Sequence, residues 1–211
     1  MKVADRPEGL LYVEVDCPPE LESEFHAWYN LEHVPERLRI PGFVSCRRYA
    51  ALEGAPRWLA AYELTSPAVL ESPEYRQWLG GPLQTAWTTR MIAVTRVHRG
   101  IFRLAERQEA GARSTECQGL LAVRYATSPE EHAKLNRWQD REFSPEILAL
   151  PGVTSVARYE ASEGGEGLCL YELEQPWLTQ APTFARLWAA GWQARRDALS
   201  GYRRTLYIRI H

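Results

Sequence analysis

The sequence predicts an α+β protein in which one βαββαβ unit is written twice in tandem. Three observations carry that prediction: a self-similarity at constant offset, strand-like alternation that opens and closes each copy, and helical spacing between those strands. Gly9-Leu10-Leu11 recurs as Gly119-Leu120-Leu121, Trp28 as Trp138, Pro41-Gly42 as Pro151-Gly152 and Arg48-Tyr49 as Arg158-Tyr159, all 110 residues apart. After a one-residue deletion, Tyr62-Glu63-Leu64 recurs as Tyr171-Glu172-Leu173, now 109 apart. A fixed period of this kind sets the architecture before any local detail is read. The copies are expected at 1–104 and 119–211. The polar segment AERQEAGARSTECQ, at 105–118, has no apolar periodicity and reads as a linker.

Within the first copy, Leu11, Val13 and Val15 alternate with Tyr12, Glu14 and Asp16, the period of a half-buried strand. Pro18-Pro19 suit a helix start, where a missing N–H costs nothing, and Leu21, Phe25 and Trp28 then form an apolar stripe. That helix is expected to end near Pro35, because proline removes a helical hydrogen bond and crowds the preceding turn. Pro41-Gly42 turns the chain. Phe43 to Ala50 and Trp58 to Leu64 read as strands joined by the hairpin loop LEGAP. A helix is expected from about Pro73 to Arg90, and a closing strand from Ile92 to Leu104. In such a unit, of the ferredoxin-like kind, both helices cover one face of a four-stranded antiparallel sheet. A second copy packed sheet to sheet would cover the other face, which accounts for two units in one chain.

Composition narrows the partners. The formal net charge of -2, from 25 Lys+Arg against 27 Asp+Glu, provides no basic field for a phosphate backbone, so nucleic acid is not an expected partner. No stretch approaches the roughly 18 apolar residues of a membrane span, and the N-terminus lacks the apolar core of a signal peptide. No membrane association and a cytoplasmic location are therefore expected. Cys17, Cys46, Cys117 and Cys169 form no metal-ligand spacing and are expected as free thiols. No GxSxG, P-loop or GxGxxG occurs, so serine hydrolase and nucleotide-binding readings lack their parts. Neither a metal nor a cofactor is expected.

The densest polar constellation is FHAWYNLEHVPER, with His26, Tyr29, Asn30 and His33. At about 100° per residue, the last three fall within about 60° of His26 on a regular helix, opposite Phe25 and Trp28. Two readings stand side by side: a solvated polar face, and a working cluster. In the second, His33 and then His26 are the acid or base candidates, since an unperturbed histidine titrates near neutrality. Tyr29 and Asn30 would contact a ligand. His98, in the closing strand, is a further candidate contact if it faces the first helix; His132 and His211 are expected to be exposed.

The residues WYNLEHVPERL at 28–38, IPGFVSCRRY at 40–49 and WLAAYEL at 58–64 resemble the EthD-like members of the dimeric α+β barrel superfamily. The resemblance covers nearly the whole chain and implies that the two fused units form an intramolecular counterpart of the usual two-subunit barrel. Relatives include accessory proteins, cofactor-free oxygenases, isomerases, cyclases and haem-binding enzymes, many with a pocket between helices and sheet. The second copy departs from the motif, with Asn136, Gln139, Asp140 and Phe143 at the positions of His26, Tyr29, Asn30 and His33. A histidine kept in one copy is not required by the shared scaffold; drift in the other copy explains the same asymmetry. The resulting expectation is a small-molecule enzyme, of isomerase, lyase or cyclase type, moving a proton on an apolar, cyclic or aromatic ligand. The alternatives are a non-catalytic accessory protein and, ranked lower, haem binding. Fusion makes a monomer plausible, with exposed strand edges open to further assembly.

Overall fold

The computed structural model describes residues 7–54, 56–111, 117–162 and 165–211. In the first repeat the alternation at the start forms β1 (Gly9–Asp16), and a 3-10 turn begins at Pro19 as the missing N–H allows. Then come α1 (Glu22–Trp28), a π turn (Tyr29–His33) and α2 (Val34–Leu38) as one continuous run. The run does not end near Pro35. Its π turn, closed by the Val34 N–H on the Tyr29 carbonyl, widens the helix just where the proline ring would meet the Leu31 carbonyl. The second repeat makes the same turn at Gln139–Phe143, ahead of Pro145.

The Pro41-Gly42 turn holds Gly42 at φ +96°, and β2 (Phe43–Glu53) and β3 (Trp58–Leu64) follow. The expected helix over 73–90 is broken. α3 (Pro73–Trp78) stops before Gly80, whose φ of +74° no helix tolerates, and α4 (Ala86–Val94) starts afresh with Thr85 as its cap. The closing strand β4 is accordingly displaced to Arg96–Glu109. It runs five residues into the segment read as a linker, of which 112–116 lie outside the described residues. Ala55 of the hairpin loop lies outside them too.

The second repeat supplies β5 (Gly119–Ala126), α5 (Pro129–Trp138), α6 (Ser144–Leu148), β6 (Val153–Ala161), β7 (Glu166–Leu173), α7 (Pro182–Trp188) and β8 (Ser200–Arg209). Each repeat is thus βαββαβ with antiparallel strands. The hydrogen-bonded order is β4-β1-β3-β2 in the first repeat and β8-β5-β7-β6 in the second. By contacts the chain divides into two units: one holds the chain up to Tyr49, Pro56–Arg103 and His211, the other Ala50–Ala55 and Leu104–Ile210. None of the four cysteines is in a disulfide. No helix among the described residues is long and apolar enough to cross a membrane.

The two units differ in how they fill the space between helices and sheet. In the second, α7 continues without a break through a π turn at Ala189–Gln193, and this carries Trp192 into the core. Trp192 is fully buried against Trp138, Phe143 and Trp188, and its indole N–H donates to the Tyr171 hydroxyl at 2.7 Å. The first unit has the Gly80-Gly81-Pro82 break instead. There α4 is pinned to the first helical run, with Thr85 and Thr88 donating to the Glu32 carboxylate at 2.6 and 2.9 Å and the Trp28 N–H reaching Thr88 at 3.0 Å. A cavity is left there beside Trp28.

Candidate active site

That cavity measures about 190 Å³. Leu11, Val13 and Val15 of β1, Val97 of β4, Leu79 and Ile92 give it apolar walls. Its polar groups include Tyr29, His33, Arg37, Tyr62, Tyr75 and Arg99. Strand alternation selects the β4 contributions: Val13 lies opposite Arg99 and Val15 opposite Val97, so one face of the sheet is presented to the helices.

The five residues singled out from the sequence do not converge. His33 and Tyr29 line the cavity; their rings lie 5.1 Å apart, and His33 also packs at 4.3 Å on Trp28. His26 and Asn30 sit elsewhere, around Arg48, with His26 Nδ1 3.0 Å from Nη2 and Asn30 Oδ1 accepting from Nη1 at 2.5 Å. Asn30 is exposed. The π turn explains the split, because a turn of five residues rotates each by less than 100° and swings His33 towards Trp28 and the sheet. The regular-helix face shared by all four does not exist. His98 is exposed and pairs with Glu14, on the face of the sheet opposite Val97 and Arg99, so it does not face the first helix. His132 is half-buried at 3.8 Å from Glu160 rather than exposed.

The electrostatics of the cavity follow from burial. His33 Nδ1 is buried without a hydrogen-bond partner. Desolvation, then the charges of Arg37, Arg48 and Arg99, hold the imidazole well below its ordinary 6.5, so it is neutral at pH 7. Burial pushes the Tyr29 and Tyr62 hydroxyls up, which keeps both as neutral donors, and pushes the nearby Cys46 thiol up to about 12. A consequence for stability can be measured. Between its depressed folded value and 6.5, the unfolded chain binds more protons at position 33 than the folded chain, so stability falls as pH drops below about 6.5. His33→Phe, the residue of the second unit at Phe143, is expected to flatten that acid slope in urea melts taken across the range.

Arg37, Arg99, Tyr62 and Tyr75 were not singled out from the sequence. A signal for Arg37 existed: the position 110 residues on is Ile147, which is fully buried, so a core position in one copy carries a cation in the other. Arg99 and Val97 are recognisable only once the β1–β4 register is known. Among the described residues no group of three or more His, Cys, Asp or Glu side chains gathers as a metal site. The residues present do not fit haem. His33 is wedged between Trp28 and Tyr29, and a macrocycle far exceeds a 190 Å³ cavity that is already below the roughly 300–1,000 Å³ of most ligand pockets.

No protein-family model matches the chain, and no curated protein matches it in sequence. Solved structures do match in fold. An anthrone oxidase-like protein superposes with a TM-score of 0.68 at 12% identity, covering 99% of this chain and 94% of its own. A proposed monooxygenase from Fusobacterium nucleatum gives 0.65 at 7% identity, covering 97% and 94%. A chlorite dismutase variant from Candidatus Nitrospira defluvii gives 0.64 at 9% identity, covering 96% and 91%. These likenesses show a shared fold alone.

Proposed function

We propose that this dimeric α+β barrel is a small-molecule enzyme with its working pocket in the first unit, where His33 accepts a proton from a compact, largely apolar, cyclic or aromatic ligand. The observation that carries this reading is a neutral, desolvated imidazole with a partnerless buried nitrogen in the wall of an apolar cavity. In the step, a C–H or O–H bond of the ligand breaks, an N–H bond forms on His33, and the electron pair stays on the ligand, delocalised onto an oxygen. Return of the proton to another carbon completes an isomerisation and uses only the chain's own groups. The arginine charges that weaken His33 as a base also stabilise the anion it creates, and the Tyr29 and Tyr62 hydroxyls are protonated donors for the same oxygen. An anthrone oxidase-like fold relative supports including tricyclic ketones among the candidates.

A second reading, ligand binding without turnover, is favoured by one observation: the low basicity of His33 makes proton abstraction harder. The experiment that separates the two is solvent-deuterium incorporation, followed by proton NMR, into anthrone, bicyclic aryl ketones, unsaturated lactones and phenols. Protein-dependent exchange at an acidic C–H supports the enzyme; binding of the same compounds without exchange favours the accessory role. The pH profile gives a further prediction. A base must be deprotonated to act, so the exchange rate is expected to hold from about pH 8 to 6.5 and to fall only on the acid side of that range. A limb falling already above pH 7 would exclude His33.

A further inference from the structure

The two repeats partner their matching arginines differently. In the second unit Arg158 pairs with Asp140 at 2.6 Å and Glu160 at 3.0 Å, and Arg204 pairs with Glu53. In the first unit the matching cations, Arg48 and Arg99, meet neutral partners among the described residues. Arg48, the counterpart of Arg158, meets Asn30 where Asp140 would stand, and Ala50 occupies the position of Glu160. Arg99 lies opposite Val13 as Arg204 lies opposite Val123, and its partner is the Tyr75 hydroxyl at 2.7 Å.

Arg37 goes furthest. It is 2% exposed, lines the cavity, and has both terminal guanidinium nitrogens buried without a hydrogen-bond partner. Its company is the Tyr75 ring, 5.7 Å away, which Arg99 also approaches at 6.0 Å. The matching position in the second unit is the fully buried Ile147, so the fold does not need a cation there. A buried guanidinium without a counter-charge is costly unless something supplies one. The shape of Arg suits a planar oxyanion, which it grips with two parallel hydrogen bonds.

We infer that the ligand of this cavity carries an anionic oxygen group, of the aryl or cycloalkenyl carboxylate class, gripped by Arg37 with Arg99 beside it. This rests on the pocket proposed above and adds the chemical class that the pocket selects. The carboxylate is the anchor; the acidic C–H or O–H elsewhere on the ring system faces His33. The two groups sit on one helical run, His33 at the end of the π turn and Arg37 one turn further on.

The test is calorimetric titration of 2-naphthoate against 2-naphthamide, which match in size and differ in charge. Wild-type protein is expected to prefer the acid at least tenfold. Arg37→Met should bring the two compounds within about twofold of each other, chiefly by weakening the acid, and Arg195→Met in the second unit, where that guanidinium lies over the Trp138 ring, should leave the preference intact. His33→Gln should also keep it, since that residue serves the proton and not the anchor. The unliganded Arg37→Met protein should melt higher than wild type, whereas loss of an arginine with a structural role would lower the melting temperature. Equal affinity for acid and amide in the wild type overturns the anion assignment and leaves the pocket standing, as does a preference that survives Arg37→Met. Binding of neither compound overturns both.

Discussion

His33→Gln is expected to lower the rate of ligand deuterium exchange by about 10²–10⁴-fold, the usual worth of a positioned general base. Glutamine keeps a polar side chain of similar reach but cannot take a proton. The imidazole also packs at 4.3 Å on Trp28 and 5.1 Å from Tyr29, so affinity must be measured separately from rate. The expected pattern is a collapse of turnover with ligand affinity changed by a few-fold at most, which marks an interaction that matters in the transition state rather than the ground state. Equal losses in both would make His33 a contact and nothing more. No change in either would remove it from the site.

Asp140→Ala is expected to destabilise the second unit by about 2–3 kcal/mol, or roughly 4–12 °C in a thermal scan of a chain this size. Arg158 is 9% exposed at the side chain, and although burial alone would lower its proton affinity, the hydrogen bond and charge of Asp140 hold it above the ordinary arginine value. Removing the carboxylate leaves that cation with Glu160 alone. The loss falls below the roughly 3–5 kcal/mol of a fully buried pair because Asp140 is itself 27% exposed and Glu160 persists. Burial instead draws Arg48 below the ordinary arginine value, and among the described residues its guanidinium meets Asn30 and His26, both neutral groups. Urea melts of Asp140→Ala beside Asn30→Asp should therefore move in opposite directions, the second by no more than about 1 kcal/mol because residue 30 is exposed. If both variants lose stability, the charge asymmetry between the units is not what sets it.

Much of the scaffold was legible in the sequence because it is written in periods and in repetition. Leu11, Val13 and Val15 alternate at the strand period, and a duplication of Trp28, Pro41-Gly42 and Arg48-Tyr49 at one offset is visible without coordinates. The failures share a cause. Pro35 looked like a helix end, yet a π turn ahead of it, as ahead of Pro145 in the second repeat, carries the helix past the proline. The apolar residues over 73–90 looked like one helix, but Gly80 and the Thr85 cap divide it. Both are one-turn departures from the regular helix, and a wheel drawn at fixed pitch cannot register them.

What the amino-acid sequence determined by itself is therefore the twice-written βαββαβ unit and the asymmetry of its histidines, since both are properties of residue order. Tertiary structure alone decided which groups meet. The π turn sends His33 towards Trp28 and the sheet while His26 and Asn30 stay with Arg48; the β1–β4 register turns Arg99 inward to the helices and His98 away. The helix breaks at Gly80 in the first unit where Trp192 fills the core of the second, and the volume left between helices and β1, lined by Arg37 and Arg99 with no carboxylate partner among the described residues, makes that repeat the candidate site. Residue order fixes periods, whereas a cavity depends on small rotations and displacements that only packing resolves.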